Sequence, residues 1–315
     1  MMKAAVIEEY GSADRFVIKD VEQPGLEDGQ ILVSNRASSV NPVDTLVRQG
    51  KTKLITGLFG EHIIGSDFSG VVVETKSKKF KVGDEVFGFK NALKGHAYAQ
   101  LVAVDEDNAA LKPEGLSFTE AAALPLAAST AWQGMTDDGK LQPNSNVLIN
   151  GCTGGVGTAA VQIAKHYGCT VTGVCSTANV EFAKTLGCDK VIDYKTEKVP
   201  ENEQFDLYFD ATGNYTISDV KNNIAPDGMF VSTRGGMQDV KSTLQGAADL
   251  LLQSKMKIVH VKPQTADLQK LQLLVDQGKL KPYIAATFGL EDLQQAHEMQ
   301  EKGGFTGKIA IAIEE

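Results

Sequence analysis

The sequence is short of the features that would place it outside ordinary globular proteins. Nothing in its 315 residues approaches the roughly eighteen consecutive apolar residues of a transmembrane helix. The nearest stretch, Ala121 to Ala128, is interrupted by Pro125, so no spanning helix is expected. The opening run Met1 to Glu9 ends in two acids and lacks the apolar segment and small-residue cleavage site of a secretory signal. Cysteine is scarce: Cys152, Cys169, Cys175 and Cys188 are the only four, none forms a CxxC pair, and no histidine stands at ligand spacing from them. That argues against a zinc site of the usual kind and for buried, reduced thiols in a cytoplasmic protein. Basic residues are outnumbered, 31 against 40, for a net charge of −9, and no long basic run exists. Nucleic acid and membrane surfaces are therefore poor partners, whereas one anionic ligand in a local pocket stays compatible. Repeats, low-complexity tracts and proline-rich linkers are also missing, which predicts two domains sharing an interface with a cleft between them.

What is present changes character near residue 120. Before it, short β-rich runs recur between turn signals: Ala4–Ile7, Phe16–Val21, Ile31–Val40, Phe68–Thr75, Glu85–Phe89 and Tyr98–Val104. Their punctuation, Pro24-Gly25, Asp28-Gly29 and Val82-Gly83-Asp84, predicts a barrel-like β domain. After it, strand and helix alternate. Val147–Ile149, Val171–Val174, Val191–Ile192, Leu207–Asp210, Met229–Thr233 and Ile258–Val261 read as strands, with helices over Val156–His166 and Asn179–Leu186, the second stopped by Gly187. This rhythm predicts an α/β fold with a doubly wound parallel sheet. In the tail, Leu268 to Val275 and Leu290 to Met299 read as helices and Ile309–Ile313 as a strand. Leu268, Leu271, Leu274 and Val275 share one helical face.

The sharpest local signal is Asn150-Gly151-Cys152-Thr153-Gly154-Gly155-Val156-Gly157, which follows a strand and opens a helix. Glycines there let the main chain turn tightly and approach a pyrophosphate, while free N–H groups at the helix start attract the anion. The pattern is not the common GxGxxG, but its strand–loop–helix setting is the one that nucleotide binding requires. At the end of the next strand, a site built for NAD offers an acid to the ribose hydroxyls. Here the chain reads Cys175-Ser176-Thr177-Ala178-Asn179, with no carboxylate before Glu181. That favours a 2′-phosphate and hence NADP(H), with Lys195 as the nearest basic candidate. The same polar residues also suit a helix cap.

Several further motifs fall in a recognisable order: Val40-Asn41-Pro42-Val43-Asp44, Gly65-Ser66-Asp67-Phe68-Ser69-Gly70, Gly83-Asp84-Glu85-Val86-Phe87-Gly88, Leu124-Pro125-Leu126-Ala127, Thr130-Ala131-Trp132, Val191-Ile192-Asp193-Tyr194 and Gly307-Lys308. With the glycine loop, they make the whole chain resemble the zinc-independent quinone oxidoreductases and enone reductases of the medium-chain dehydrogenase/reductase superfamily. The resemblance implies a GroES-like, β-rich catalytic domain over residues 1–125 and 262–315. A Rossmann domain over residues 126–261 is inserted between them. It also implies NADPH as hydride donor, a small quinone or enone as substrate, and a homodimer. Zinc-dependent relatives carry an early ligand cysteine and a Gly-His-Glu motif. The stretches here are Asn41-Pro42-Val43-Asp44 and Gly60-Glu61-His62-Ile63, which leave His62 without partners, so no metal is expected.

The resemblance also implies roles. Asn41 is the leading candidate to donate to an acceptor oxygen or the nicotinamide ribose, and Asp44 to order that loop or meet the nicotinamide end; turn-forming and helix-starting roles are the alternatives. Thr130 matches a position touching the cofactor. Gly154, Gly155, Val156 and Gly157 should hold the pyrophosphate, and Ser176, Thr177 and Tyr194 the 2′-phosphate. Thr212 and Gly213 should lie by the adenine ribose, and Val231, Ser232 and Thr233 should approach the nicotinamide. Trp132 is expected in the core or an interface. No general acid stands out, which leaves water as the proton source. Simple aldehydes or ketones as substrates, or NADPH binding without catalysis, are the competing readings.

Overall fold

The computed structural model describes residues 1–53, 61–91, 93, 95–234 and 254–314. Gly60, quoted above beside His62, lies outside them. The chain divides into two compact units. One takes Met1–Ser129, Lys262–Gly278 and Pro282–Glu315, and the other takes Thr130–Val261 with Lys279–Lys281.

The first unit is β-rich. Its larger sheet runs in the order Ile284–Gly289, Lys308–Ala312, Gln30–Val40, Asp67–Thr75, Glu85–Phe89 and Ala109–Leu111, with Leu101–Asp105 also paired to Gln30–Val40. A smaller sheet orders Phe16–Val21, Met2–Ile7 and His62–Ile63. Apolar residues from several strands fill the cores: Ile31, Val33, Phe68, Val72, Val86 and Val102 in one cluster, Ile7, Val40, Leu293, Ile309 and Ile311 in another. Leu268, Leu271 and Leu274 are buried on the helix Thr265–Asp276, while Val275 sits at the margin of that face.

The expected strand Tyr98–Val104 begins only at Leu101. Tyr98 instead bridges two other segments, donating its N–H to Ile64 and accepting from Ala5.

Among the described residues, the second unit holds a sheet of six parallel strands in the order Lys190–Asp193, Thr170–Cys175, Asn146–Asn150, Phe205–Asp210, Ile224–Ser232 and Met256–Ile258. Val147, Leu148 and Ile149 are all fully buried, as a central strand covered on both faces requires. The helix Gly155–His166 follows one central strand, and Val180–Leu186 ends at Gly187 in a left-handed turn with φ of 115°. The last strand stops at Ile258 rather than reaching Val261. Val259 donates to Ser232, where the neighbouring strand ends. The connection through residues 194–204 carries no helix, and a cavity of about 680 Å³ lined by Ile192, Val199, Tyr208 and Tyr215 opens beside it.

Candidate active site

The glycine loop stands where the sequence places it. Gly151 has φ of 74°, and a Cβ on Gly157 would fall 2.0 Å from the Gly151 carbonyl oxygen. The helix start is thus packed onto the loop without room for a methyl group. Gly154 is different: its nearest neighbour to a Cβ would be that same oxygen at 3.7 Å, so space opens above it. Gly154 caps the twelve-residue helix with no side-chain hydrogen bond, so Gly155, Val156 and Gly157 present first-turn N–H groups that lack intrahelical acceptors. Open space, free donors and the positive end of the helix fit a pyrophosphate.

Behind this loop lies a residue that the sequence reading passed over. Asp210 ends its strand fully buried, and its carboxylate accepts from the side chains of Asn150, Thr212 and Ser232 and from the Thr212 and Tyr215 N–H groups. It joins the ends of three neighbouring strands. Thr212 and Ser232 therefore spend their hydroxyls inside the protein. Thr233 donates its N–H to the Asp210 carbonyl, Val231 is wholly buried, and Gly213 turns with φ of 70° beside Arg234. Ser232, like Val231, is fully buried.

At the second strand end, Ser176 heads a short turn without using its hydroxyl as a cap, and Thr177 is exposed. Cys175 pairs with Asp193 on the edge strand, so a carboxylate stands beside this segment after all. The Thr177 hydroxyl and the Lys195 N–H, 3.0 Å away, donate to it and hold Asp193 below the ordinary carboxylate range. Tyr194 is half exposed, with the Lys195 ammonium 5.1 Å above its ring. Asn179 donates to Thr153, linking this turn to the glycine loop.

Asn41 and Asp44 sit in the first unit, at the start of the helix Pro42–Arg48, and both are buried. Asp44 accepts from the Asn41 main-chain N–H at 2.8 Å, from Ser66 and from the Tyr98 phenol. The Asn41 amide donates to Asp67 at 2.8 Å and to Asp44 at 3.3 Å, and its oxygen accepts from Lys308 at 2.5 Å. Asp67 is held further by the Ser39 hydroxyl and the Leu126 N–H. Every polar group of the Asn41 side chain is thus engaged within the unit. Burial, with Asp67 adding repulsion, lifts Asp44 to about 6, against the pull of the Asn41 N–H. Nearby His297 accepts from Arg48 and reaches the Tyr98 hydroxyl, and burial beside Arg48 lowers it to about 3.

Thr130 is buried in the helix Pro125–Trp132, and Trp132 is buried with its ring 6.4 Å from that of Tyr167. His62 packs against Tyr10. Among the described residues no group of three or more His, Cys, Asp or Glu is placed to hold a metal ion. No described helix is long and apolar enough to cross a membrane.

Residues 27–115 match the alcohol dehydrogenase GroES-like domain, and residues 186–311 match the zinc-binding dehydrogenase family. The 2-methylene-furan-3-one reductase of Solanum lycopersicum is 33% identical over 98% of this chain and 79% of its own length. The chain belongs to the quinone oxidoreductase family of the medium-chain dehydrogenases/reductases. Also similar to this family member are the chloroplastic NADPH-dependent alkenal/one oxidoreductase of Arabidopsis thaliana, 31% identical over 98% of this chain and 79% of that one. The quinone oxidoreductase of Coxiella burnetii superposes with a TM-score of 0.88 over 99% of both chains at 28% identity. An oxidoreductase acting on small molecules with a nicotinamide nucleotide is what this family membership establishes.

Proposed function

We propose that this oxidoreductase reduces quinones or α,β-unsaturated carbonyl compounds with NADPH and without zinc. The observation that carries the reading is the open, uncapped helix start at Gly154, whose donors suit a dinucleotide pyrophosphate. Bound NADPH supplies the hydride. Gly154, Gly155, Val156 and Gly157 hold the pyrophosphate; Ser176, Thr177, Tyr194 and Lys195 surround the 2′-phosphate. Thr130, Gly213, Thr233 and the main chain at Thr212, Val231 and Ser232 line the remaining length of the cofactor. Asn41 and Asp44 act as positioning residues, because their polar groups are spent on Asp67, Lys308 and each other.

An electrophilic acceptor suits these residues. Reducing a conjugated carbonyl needs no Lewis acid to activate it, whereas oxidising an alcohol gains much from one. The names of the tomato and Arabidopsis relatives support this substrate class. The reading assigns residues 1–125 and 262–315 to the catalytic domain and 126–261 to the dinucleotide domain. It places a homodimer in the cytoplasm, where four free cysteines are at home.

The test is a steady-state screen of NADPH oxidation across quinones, enals, enones and simple aldehydes, run before and after chelator treatment. Turnover confined to conjugated acceptors and indifferent to the chelator is expected. Preference for simple aldehydes, or stoichiometric zinc whose removal stops turnover, would overturn it.

A further inference from the structure

One crossover of the parallel sheet is too short to cover the strands it passes. The chain must travel from the edge strand Lys190–Asp193 to Phe205–Asp210, across Thr170–Cys175 and Asn146–Asn150. That is a sideways step of about 14 Å, three strand spacings, and residues 194–204 are consumed by it without forming a helix. A parallel crossover ordinarily takes a dozen residues or more and lays a helix over the sheet. Here the space such a helix would fill is the cavity of about 680 Å³, which lies in the size range of small-molecule sites. Its wall is fastened in place, because the Asn223 amide donates to the carbonyls of Pro200 and Glu203, each at 2.8 Å.

The cavity is apolar and aromatic at its base and acidic at its mouth. Val174, Ile192, Val220 and Tyr208 line it as buried residues, Tyr208 at 1% exposure. The Tyr208 ring is set edge-to-face with Phe230, Tyr215 and Phe205, its centroid 5.8, 6.3 and 6.4 Å from theirs. The ring is thereby fixed, yet its hydroxyl makes no hydrogen bond among the described residues. A polar group buried without a partner costs about 1 to 3 kcal/mol, so this hydroxyl favours an occupant that pairs with it. Burial, with Tyr215, Asp210 and Asp219 adding to it, pushes the phenol up and keeps it a donor. Glu197, Glu201 and Asp219 stand exposed at the mouth, with Lys198 the one basic residue among the described residues lining it. Of the residues assigned above to the cofactor, Tyr194 alone is among those described residues, and the Lys195 ammonium stands over its ring.

We propose that this cavity is a binding site for a phenolic amine, an aromatic ring with a hydroxyl at one end and an alkylammonium at the other. The ring packs among Val174, Ile192, Val199 and Val220, where its apolar surface leaves water. Its hydroxyl accepts from the Tyr208 hydroxyl at the base. The ammonium rests at the mouth between Glu197, Glu201 and Asp219, drawn by their charge while it stays in reach of solvent. An anion of the same shape meets the same carboxylates and is repelled.

Calorimetric titration of the full chain with three probes of similar size separates the contacts. Tyramine carries both groups, phenethylamine lacks the hydroxyl, and 3-(4-hydroxyphenyl)propionate exchanges the ammonium for a carboxylate. Tyramine is expected to bind at millimolar concentration or below, several-fold tighter than phenethylamine and about tenfold tighter than the propionate. Tyr208→Phe keeps the ring and its packing, so it should erase the margin of tyramine over phenethylamine and leave phenethylamine unchanged. Val199→Trp should fill the cavity and abolish binding of both amines, while Glu201→Lys, at an exposed position, should narrow the preference over the propionate. Thermal melting checks that each variant is folded, and the three probes against the parent chain decide the matter even where one is not. No saturable tyramine binding by the parent chain overturns the proposal, and so does equal affinity for tyramine and the propionate. Tyramine affinity indifferent to both Tyr208→Phe and Val199→Trp overturns it too. Displacement of tyramine by NADPH would make the cavity part of the cofactor site and overturn it as well.

Discussion

The Lys308 ammonium donates to the Asn41 amide oxygen, joining two residues 267 positions apart. The same lysine also donates to the Val40 carbonyl and stands 3.6 Å from the Asp67 carboxylate. A buried cation, a buried carboxylate and an amide between them make one closed arrangement, in which each group satisfies its neighbours. Burial lowers Lys308, while Asp67 and Asp44 favour its charged form.

Asn41→Ala removes the amide from this arrangement and leaves donors and acceptors of charged partners unmade. A loss on the order of 2 to 3 kcal/mol is expected, with a fall of several degrees in melting temperature. Turnover per folded molecule should drop less than tenfold. Measured kcat a hundredfold lower in fully folded protein would instead return Asn41 to direct contact with the acceptor.

Gly157→Ala and Gly154→Ala should fail in different ways. The first places a methyl group 2.0 Å from the Gly151 carbonyl, so both the fold of the loop and NADPH binding should suffer. The second meets nothing closer than 3.7 Å, so thermal stability should hold within about 1 kcal/mol. Its NADPH affinity should nonetheless fall by roughly tenfold or more, because the methyl group takes the phosphate's space. Equal NADPH affinity for Gly154→Ala and the parent in calorimetry would show that the pyrophosphate sits elsewhere.

Cofactor choice should turn on the 176–195 region. Lys195→Ala is expected to weaken NADPH several-fold and leave NADH unchanged, while Ser176→Asp should erase or reverse the preference by repelling the 2′-phosphate. Titrations of both cofactors against both variants check this. An unmodified protein that binds NADH and NADPH equally would refute the preference.

Two buried groups should oppose each other in acid. His297 titrates near 3 when folded and near 6.5 when unfolded, so the unfolded chain binds more protons between those values and stability falls as pH drops. Asp44 titrates near 6 when folded and near 3.9 when unfolded, so between those values the folded chain binds more protons and stability rises as pH drops. Asp44→Asn should therefore steepen acid destabilisation between about pH 6 and 4, by on the order of 2 kcal/mol across that window. Urea unfolding at several pH values measures it, and a slope identical to the parent's would show that Asp44 is already ionised throughout.

Much of this architecture could be read from residue order alone. Val147–Ile149 announces a central strand because an apolar run covered on both faces has little alternative, and the glycines after it announce the turn. Pro125 reads as a break in an apolar run but stands first in the helix Pro125–Trp132, where its missing N–H costs nothing. The helix Pro42–Arg48 and the strand Ile284–Gly289 are short and carry no clear periodicity, so nothing in their spacing marks them. Asp67, Asp210 and Lys308 were harder still. A lone charge beside a strand has the same letter whether it meets water or three buried donors. The hydroxyls of Thr212 and Ser232 were legible as polar groups near a ligand, but the carboxylate that claims them was not.

The strand Lys308–Ala312 pairs with Ala37–Val40, near the other end of the chain. During synthesis the ribosome delivers Gln30–Val40 long before its partner, so the first unit waits with one flank of its sheet unfilled. The second unit, almost wholly contiguous from Thr130 to Val261, has all its strands in hand earlier and can assemble while translation continues. A stalled or prematurely terminated chain would thus carry a formed nucleotide-binding sheet beside an exposed β edge, a natural target for chaperones and proteases.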